Sequence, residues 1–459
     1  MRLFDSLEAF GRRTAVLADS GELLDYRQLA ARADASVRAL PAGCRLLALD
    51  GDNSIAALCA YVGALRAGLP VIMLDPAMDA QARQALLQRY GVDAWWSVAA
   101  CAWLPLAPRR QAAPHPDLAL LLSTSGSTAS PKLVRLSHRA LAANAASIAS
   151  YLELDEHERP ITSLPMHYSY GMSVVHSHLL AGACLLLTAQ PLVARAFWNF
   201  FRGEGATSLA GVPAMYDMLE RLRLHEMELP TLRTLTQAGG KLRLESVLSF
   251  AALAREHRWR FYVMYGQTEA GPRMSWLPPG DLPAKAGSIG LAIPGGRLSI
   301  VDGQGKPVAA PGVEGELLYQ GPNVMMGYAQ QIEDLALGDV QQQRLLTGDL
   351  GYADADGYVY LTGRAHRFLK MSGKRLSLDE VEQYASTLGL CTAATGRDDL
   401  LLLAVMKADQ APLQISRQLC AHFRLHHASV RVVDVPDFPR SGAGKVRYGE
   451  LMDSLLNQS

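Results

Sequence analysis

The sequence predicts an α/β protein in two parts. A large N-terminal domain, residues 1–365, is expected to hold parallel-rich sheets flanked by helices, plus a small β unit. A small α+β C-terminal domain, residues 366–459, follows it. Three observations carry this reading. Short apolar runs alternate with longer amphipathic stretches: "CRLLALD", "SIAALCAYVGALRAG" and "PVIMLD" read strand, helix, strand, and "ACLLLTA", "VARAFWNFFRGEG" and "TSLAGVP" repeat the order. Strands joined by helical crossovers pair in parallel. From about Gly287 the texture changes to Gly, Pro and β-formers with turn signals at short spacing, which reads as a compact β unit. Beyond "TGRAHRFLK" the order is helix, strand, helix, strand over a length within the usual domain range.

Composition narrows the function classes. A chain of 459 residues, 49% hydrophobic, can bury a large core. Lys+Arg and Asp+Glu both number 44, so no net charge argues for nucleic acid or an anionic membrane as partner. The six cysteines, at positions 44, 59, 101, 184, 391 and 420, form no C-x-x-C pair, which excludes a zinc knuckle or a dithiol redox motif. Scattered single cysteines suit a reducing compartment. The start, "MRLFDSLEAFGRR", has no apolar signal region, and the uncharged stretch "HSHLLAGACLLLTAQPLVA" is a poor membrane span. A cytoplasmic protein with no membrane or nucleic-acid partner is the expectation.

Four stretches carry chemistry. "STSGSTASPK", Ser123 to Lys132, is rich in hydroxyls that can donate to phosphate oxygens, and Lys132 adds a charge. It is not a P-loop, since Pro131 precedes the lysine and Leu133 follows it. The next twenty residues, "LVRLSHRALAANAASIASYL", read as one helix. In "VMYGQTEAG", Tyr265 can stack on a flat ring, Thr268 can bond a phosphate, and Glu269 can ligate magnesium. In "LLTGDLGYADADGYVYLTGR", Asp349 can accept two ribose hydroxyls and Arg364 can reach a phosphate or the ribose. "DADG" there lacks a full calcium loop and reads as a β-turn at Asp356-Gly357. In "PRSGAGKVRYGEL", Lys445 sits in a Gly-rich turn. Each stretch taken singly is equally readable as a solvated turn, a strand end or a surface lysine.

In this order and spacing, the stretches resemble those of the adenylate-forming superfamily: acyl- and aryl-CoA synthetases, peptide-synthetase adenylation domains and beetle luciferases. "TSGSTASPK" is similar to that family's phosphate loop, with Ala129 in place of its second Gly. "LPMHYSYG", "GVPAMY", "QAGGKL", "YGQTEA", "TGD", "GR", "KMSGKR" and "SGAGK" all recur in family order. The resemblance implies ATP and Mg2+ as cofactors and two half-reactions. A substrate carboxylate attacks the α-phosphorus and expels pyrophosphate; a thiol of CoA or of a phosphopantetheinylated carrier protein then takes the acyl group.

The same resemblance implies roles. Thr124, Ser125, Gly126, Ser127, Thr128 and Lys132 would hold the β- and γ-phosphates, Thr268 the α-phosphate, and Glu269 the metal. Tyr265, Gly266, Gly239 and Gly240 would bracket adenine and Asp349 the ribose, with Arg364 and Arg375 facing the nucleotide. Lys445 would bring a positive charge to the transition state on a C-terminal domain that swings between the steps, with Gly373 near the thiol tunnel. Two departures stand out. His366 occupies a hinge position often Asp or Lys, and the chain is short for a synthetase.

The acid is narrowed by one position. Amino-acid-activating relatives place an Asp where this chain has Ser169, and a hydroxyl cannot neutralise a buried ammonium. An aryl or short acyl acid is therefore favoured over an amino acid, with His167, Tyr168, Ser169, Tyr170, Gln237 and Met264 as pocket candidates. His176 and His178 sit as H-x-H on a helix, diverge, and read as core or pocket residues rather than metal ligands. A relative that only bound nucleotide would be expected to lack Lys445 or Glu269, and both are present.

Overall fold

The chain divides into two units, seen here in a computed structural model that describes residues 2–106, 113–123, 132–365, 367–371, 374–406, 410–440 and 446–457. The first unit takes the described residues of Met1–Thr124, Lys132–Leu298 and Tyr319–Leu345; the second takes those of Ser299–Leu318 and Leu346–Ser459.

The first unit is built on two large sheets. In one, Arg260–Tyr265, Thr234–Gln237, Ser208–Gly211, Pro160–Ile161, Leu185–Leu187 and Thr14–Ala18 run side by side and in parallel. Antiparallel strands close both of its edges. In the other, Leu118–Ser123, Val71–Leu74, Leu47–Asp50 and Ala94–Ser97 are parallel neighbours. The strand–helix–strand alternation is thus realised as crossovers. Ile55–Ala67 is apolar nearly all round because most of it lies inside the core, packed against Tyr26–Arg38 and touching Ser169–Leu180 through the Tyr61–His176 hydrogen bond.

One expectation is corrected here. Leu133–Leu152 is not a single helix: Leu133–Ser137 is a strand paired antiparallel with Leu118–Ser123, and the helix begins at His138. Ser137 marks the break, its hydroxyl accepting from the Ala140 amide at 3.0 Å. Ser123 stands opposite Leu133 across this pair, so the strand ends that flank the hydroxyl-rich loop lie side by side. Arg135, fully buried in the strand, donates to the carbonyls of Leu337, Met326 and Gly338.

The second unit begins with a four-stranded sheet to which Ser299–Val301, Gly315–Leu318, Leu346–Ala353 and Val359–Arg364 contribute. The turn at "DADG" is built as expected: the Asp354 carboxylate accepts from the amides of Asp356 and Tyr358, and Gly357 has φ +86°. After it come a hairpin, Phe368–Met371 with Lys374–Ser377, and a three-stranded sheet. Its strand Cys391–Arg397 is not legible in the sequence. Helices Leu378–Thr387, Pro412–Phe423 and Tyr448–Asn457 complete the unit. Arg367 ties it together, pairing with Glu382 at 2.5 Å and with Asp379, under the ring of Tyr448 at 3.9 Å.

Buried imidazoles give the first unit an acid limit. Burial holds His138 down to about 4, His176 to about 3 and His178 to about 4. The folded state keeps them neutral, whereas the unfolded chain takes up protons below about pH 6.5. Stability is therefore fully present above that value and falls as the pH drops toward 4, by up to ~1.4 kcal/mol per pH unit for each imidazole. Urea midpoints measured from about pH 7.5 to about pH 5 are expected to decline steeply below about 6.5; a level profile contradicts this account.

Among the described residues no helix is long and apolar enough to cross a membrane.

Candidate active site

The helix Ser169–Leu180 begins within the substrate motif "LPMHYSYG". No side chain caps its first turn, where the positive end of its dipole lies. The Ser169 hydroxyl is in hydrogen-bond contact with that of Thr268 at 3.2 Å, which joins two motifs ninety-nine residues apart. Thr268 opens a short turn that leaves the strand Arg260–Tyr265 at its carboxyl end. In open parallel sheets this is where loops gather into a site.

Glu269 follows. Its Oε1 accepts from the Tyr328 hydroxyl at 2.9 Å, and its backbone carbonyl accepts from the Met325 amide at 2.8 Å. The face of the Tyr328 ring carries Lys132, whose Nζ lies 3.8 Å from the ring centroid. One tyrosine thus connects the lysine that ends the hydroxyl-rich loop with the carboxylate of the second motif. Burial, and then the neighbouring Glu269 carboxylate, push the Tyr328 phenol well above its ordinary range, so it acts as a donor. Sequence reasoning missed Tyr328; a tyrosine fifty-nine residues from its carboxylate leaves no local signal.

Backbone shape completes this region. A Cβ on Gly266 would fall 1.7 Å from the Pro272 carbonyl oxygen, so no side chain fits there. Gly239 has φ +85°, and a Cβ on it would fall 2.5 Å from the Tyr168 hydroxyl. Gln237, only 1% exposed, donates from Nε2 to the Gly240 carbonyl at 2.8 Å, which fixes the turn after its strand. Gln267 donates to the Tyr265 hydroxyl at 3.4 Å.

The pocket candidates divide. Tyr168, Ser169 and Gln237 lie around Gly239 and Thr268, and burial raises the Tyr168 phenol to about 12. His167 is held at Nδ1 by the Gly51 carbonyl at 3.0 Å, with Asp75 at 3.7 Å from Nε2. Met264 is a core residue whose sulfur accepts from the Tyr151 hydroxyl at 3.1 Å. His176 is likewise core, its Nε2 bonded to Tyr61 at 2.8 Å.

In the second unit Asp349 is buried and accepts from Arg364 Nε at 2.9 Å. Arg375 lies on the strand Lys374–Ser377, opposite Lys370. Thr124, Ser125, Gly126, Ser127, Thr128, His366, Gly373 and Lys445 fall outside the described residues.

Among the described residues no cluster of three or more His, Cys, Asp or Glu side chains forms a metal cage. Glu269 nevertheless fits a magnesium site of the open kind, in which one carboxylate and substrate phosphates share the ion. Its second oxygen has no hydrogen-bond partner among the described residues. The ensemble of hydroxyls, a helix start, an ammonium group and one carboxylate can bind a polyphosphate with its cation.

Comparison with known proteins agrees in kind. The AMP-binding enzyme family matches residues 92–329. An indoleacetate–CoA ligase of Aromatoleum aromaticum is 30% identical over 393 residues, covering 82% of this chain and 72% of that protein. An oxalate–CoA ligase of Arabidopsis thaliana is 33% identical over 58% of this chain and 52% of its own length. Among solved structures, the O-succinylbenzoate CoA synthetase MenE of Bacillus subtilis with AMP superposes with a TM-score of 0.80 at 19% identity, covering 98% of both chains. ATP-bound MatB of Rhodopseudomonas palustris gives 0.78 at 22% identity, covering 99% of each. At those identities the two structures speak for the fold.

Proposed function

The chain belongs to the AMP-binding enzyme family, the adenylate-forming ligases, and from that premise we propose that it joins an aryl or short acyl carboxylic acid to CoA. It is an AMP-forming acid–thiol ligase. The carboxylate is first activated as its adenylate, and the thiol then displaces AMP. CoA is favoured over a carrier protein because the curated relatives are named as CoA ligases.

One observation carries the reading for this chain: Lys132, Glu269, Thr268 and Ser169 are linked through Tyr328 and through the Ser169–Thr268 contact. That linkage supports reading the substrate motif and the phosphate-binding motifs as parts of one site. Attack by a carboxylate oxygen on the α-phosphorus needs little proton transfer, so the protein's work is positioning and charge stabilisation. Thr268 Oγ1, beside Ser169, offers a donor to an α-phosphate oxygen while Lys132 holds the tail. Magnesium bound at Glu269 would neutralise charge shared by the phosphates. Tyr328 keeps the Glu269 carboxylate aimed through one oxygen, and the second has no hydrogen-bond partner among the described residues. The roles assigned from the sequence to Asp349, Arg364, Arg375 and Lys445, and the hinge at residues 365/366, belong to this proposal as well.

The acid class follows from Ser169. Its hydroxyl is engaged by Thr268, and the acidic group next to the same motif, Asp75, is beside His167. Among the described residues a substrate ammonium group would find no ready counter-charge beside Ser169. Acid-dependent exchange of labelled pyrophosphate into ATP tests the reading: exchange with aryl or short acyl acids is expected, and its absence across such a panel contradicts it.

Tyr328 supplies a narrower test. Tyr328→Phe keeps the ring under Lys132 but removes the donor to Glu269. Adenylation is expected to fall about tenfold, with a raised magnesium requirement. An unchanged magnesium dependence would remove the assigned role.

A further inference from the structure

The turn Thr268–Ala270 is three residues long, and so short a turn leaves its last carbonyls to outside donors. One distant segment supplies them. Asn323 Nδ2 donates to the Ala270 carbonyl at 2.6 Å and to the Arg273 carbonyl at 2.9 Å. The Met325 amide holds the Glu269 carbonyl, and Tyr328, three residues on, holds the Glu269 carboxylate. The backbone of the turn and the carboxylate it carries are thus gripped from the same stretch of chain.

The orientation of the Asn323 amide follows from its partners. Backbone carbonyls only accept, so the nitrogen faces Ala270 and Arg273, and Oδ1 accepts from the Tyr319 hydroxyl at 2.8 Å. Tyr319 is fully buried, and burial pushes its phenol well above the ordinary range, so it stays a donor. Asn323 is 2% exposed, with both of its donor hydrogens and its oxygen engaged. Gly321 makes the room: a Cβ there would fall 2.7 Å from Asn323 Oδ1 and 2.7 Å from the Tyr319 hydroxyl.

Asn144 offers an internal comparison. It is also 2% exposed, and its Nδ2 also donates to the Arg273 carbonyl, at 3.0 Å. Among the described residues it has no bond to Ala270 or Glu269. Groups that stabilise charge on a nucleotide must be held to within about 0.5 Å, and a single turn at the end of a strand cannot do this alone. We propose that Asn323 is a positioning residue for adenylation, its amide holding the turn so that the Thr268 hydroxyl and the Glu269 carboxylate stay aimed at the nucleotide and its magnesium. The inference rests on the ligase reading and adds to it a residue that acts through those two.

Asn323→Ala is expected to lower kcat for acid-dependent pyrophosphate exchange by about 10–100-fold, the scale of moving a reacting group by about 1 Å. KM for the acid should change less than about threefold, and the magnesium needed for half the full rate should rise at least about fivefold. Calorimetry reads the same effect without turnover. Magnesium is expected to tighten ATP binding to the wild type, and most of that gain should vanish in Asn323→Ala. Asn144→Ala, matched in burial and in its bond to Arg273, is expected to lower the urea midpoint yet keep the wild-type magnesium requirement. Joined to Tyr328→Phe, Asn323→Ala should cost less than the product of the separate losses, because both act through Glu269. Asn323→Ser, which keeps one short donor in the same space, is read in its place if the alanine variant does not fold. An unchanged magnesium requirement in the Asn323 variant, an equal rise in Asn144→Ala, or losses that multiply in full would overturn the proposal. No exchange in the wild type, with the magnesium gain in ATP binding still lost in the Asn323 variant, would overturn the ligase reading alone.

Discussion

Glu269→Gln is expected to lower acid-dependent pyrophosphate exchange by about 10²–10³-fold, the scale of losing one preorganised charge-stabilising group. The geometry explains why so conservative a change matters. A glutamine oxygen can still accept from Tyr328, so the local bond at 2.9 Å is preserved. What disappears is the negative charge, and with it the hold on a hard cation that prefers anionic oxygen. The lesion should deepen at low magnesium and ease in part at high magnesium, while urea stability stays near wild type. Full activity in Glu269→Gln would show that the metal is held elsewhere.

Lys445→Ala is expected to abolish most of the first half-reaction, again by about 10²–10³-fold, while sparing transfer to the thiol from preformed acyl-adenylate. Lys445 immediately precedes Val446, which bridges to Arg440 across the "SGAGK" stretch, and the Arg447 amide donates to the Pro439 carbonyl at 2.7 Å. The flanking chain is therefore pinned on both sides, and Tyr448 packs under Arg367 a few residues later. Truncation of the lysine leaves these anchors intact, so the loss reads the charge and not the fold. Equal losses in both half-reactions would contradict a role confined to adenylation.

The two variants place both groups in the same step. Glu269 belongs to the first unit. A defect in exchange common to both, with thiol transfer impaired in neither, is the pattern expected if each acts on the departing pyrophosphate.

Sequence legibility followed the range of each interaction. The alternation that runs "CRLLALD" to "PVIMLD" is local, and its strands came out parallel as expected. Motif residues at strand ends, such as Thr268 after Arg260–Tyr265, were legible because a polar turn after a β-run is also local. Leu133–Ser137 was misread because five residues of mixed polarity can extend a helical pattern; only pairing with Leu118–Ser123 makes them a strand. Met264 is buried in the core, its sulfur accepting from the Tyr151 hydroxyl 113 residues away, a contact no window of sequence displays. The contact of Tyr328 with Glu269 likewise joins distant segments.

One labelling measurement reaches the core of the account. Turnover of a substrate acid labelled with heavy oxygen in its carboxylate, in the presence of ATP, magnesium and CoA, should place one labelled oxygen in AMP. That outcome requires a bond between the carboxylate and the α-phosphorus. Label found instead in inorganic phosphate, with ADP as the nucleotide product, would mean attack at the γ-phosphorus and would contradict adenylate formation by this site.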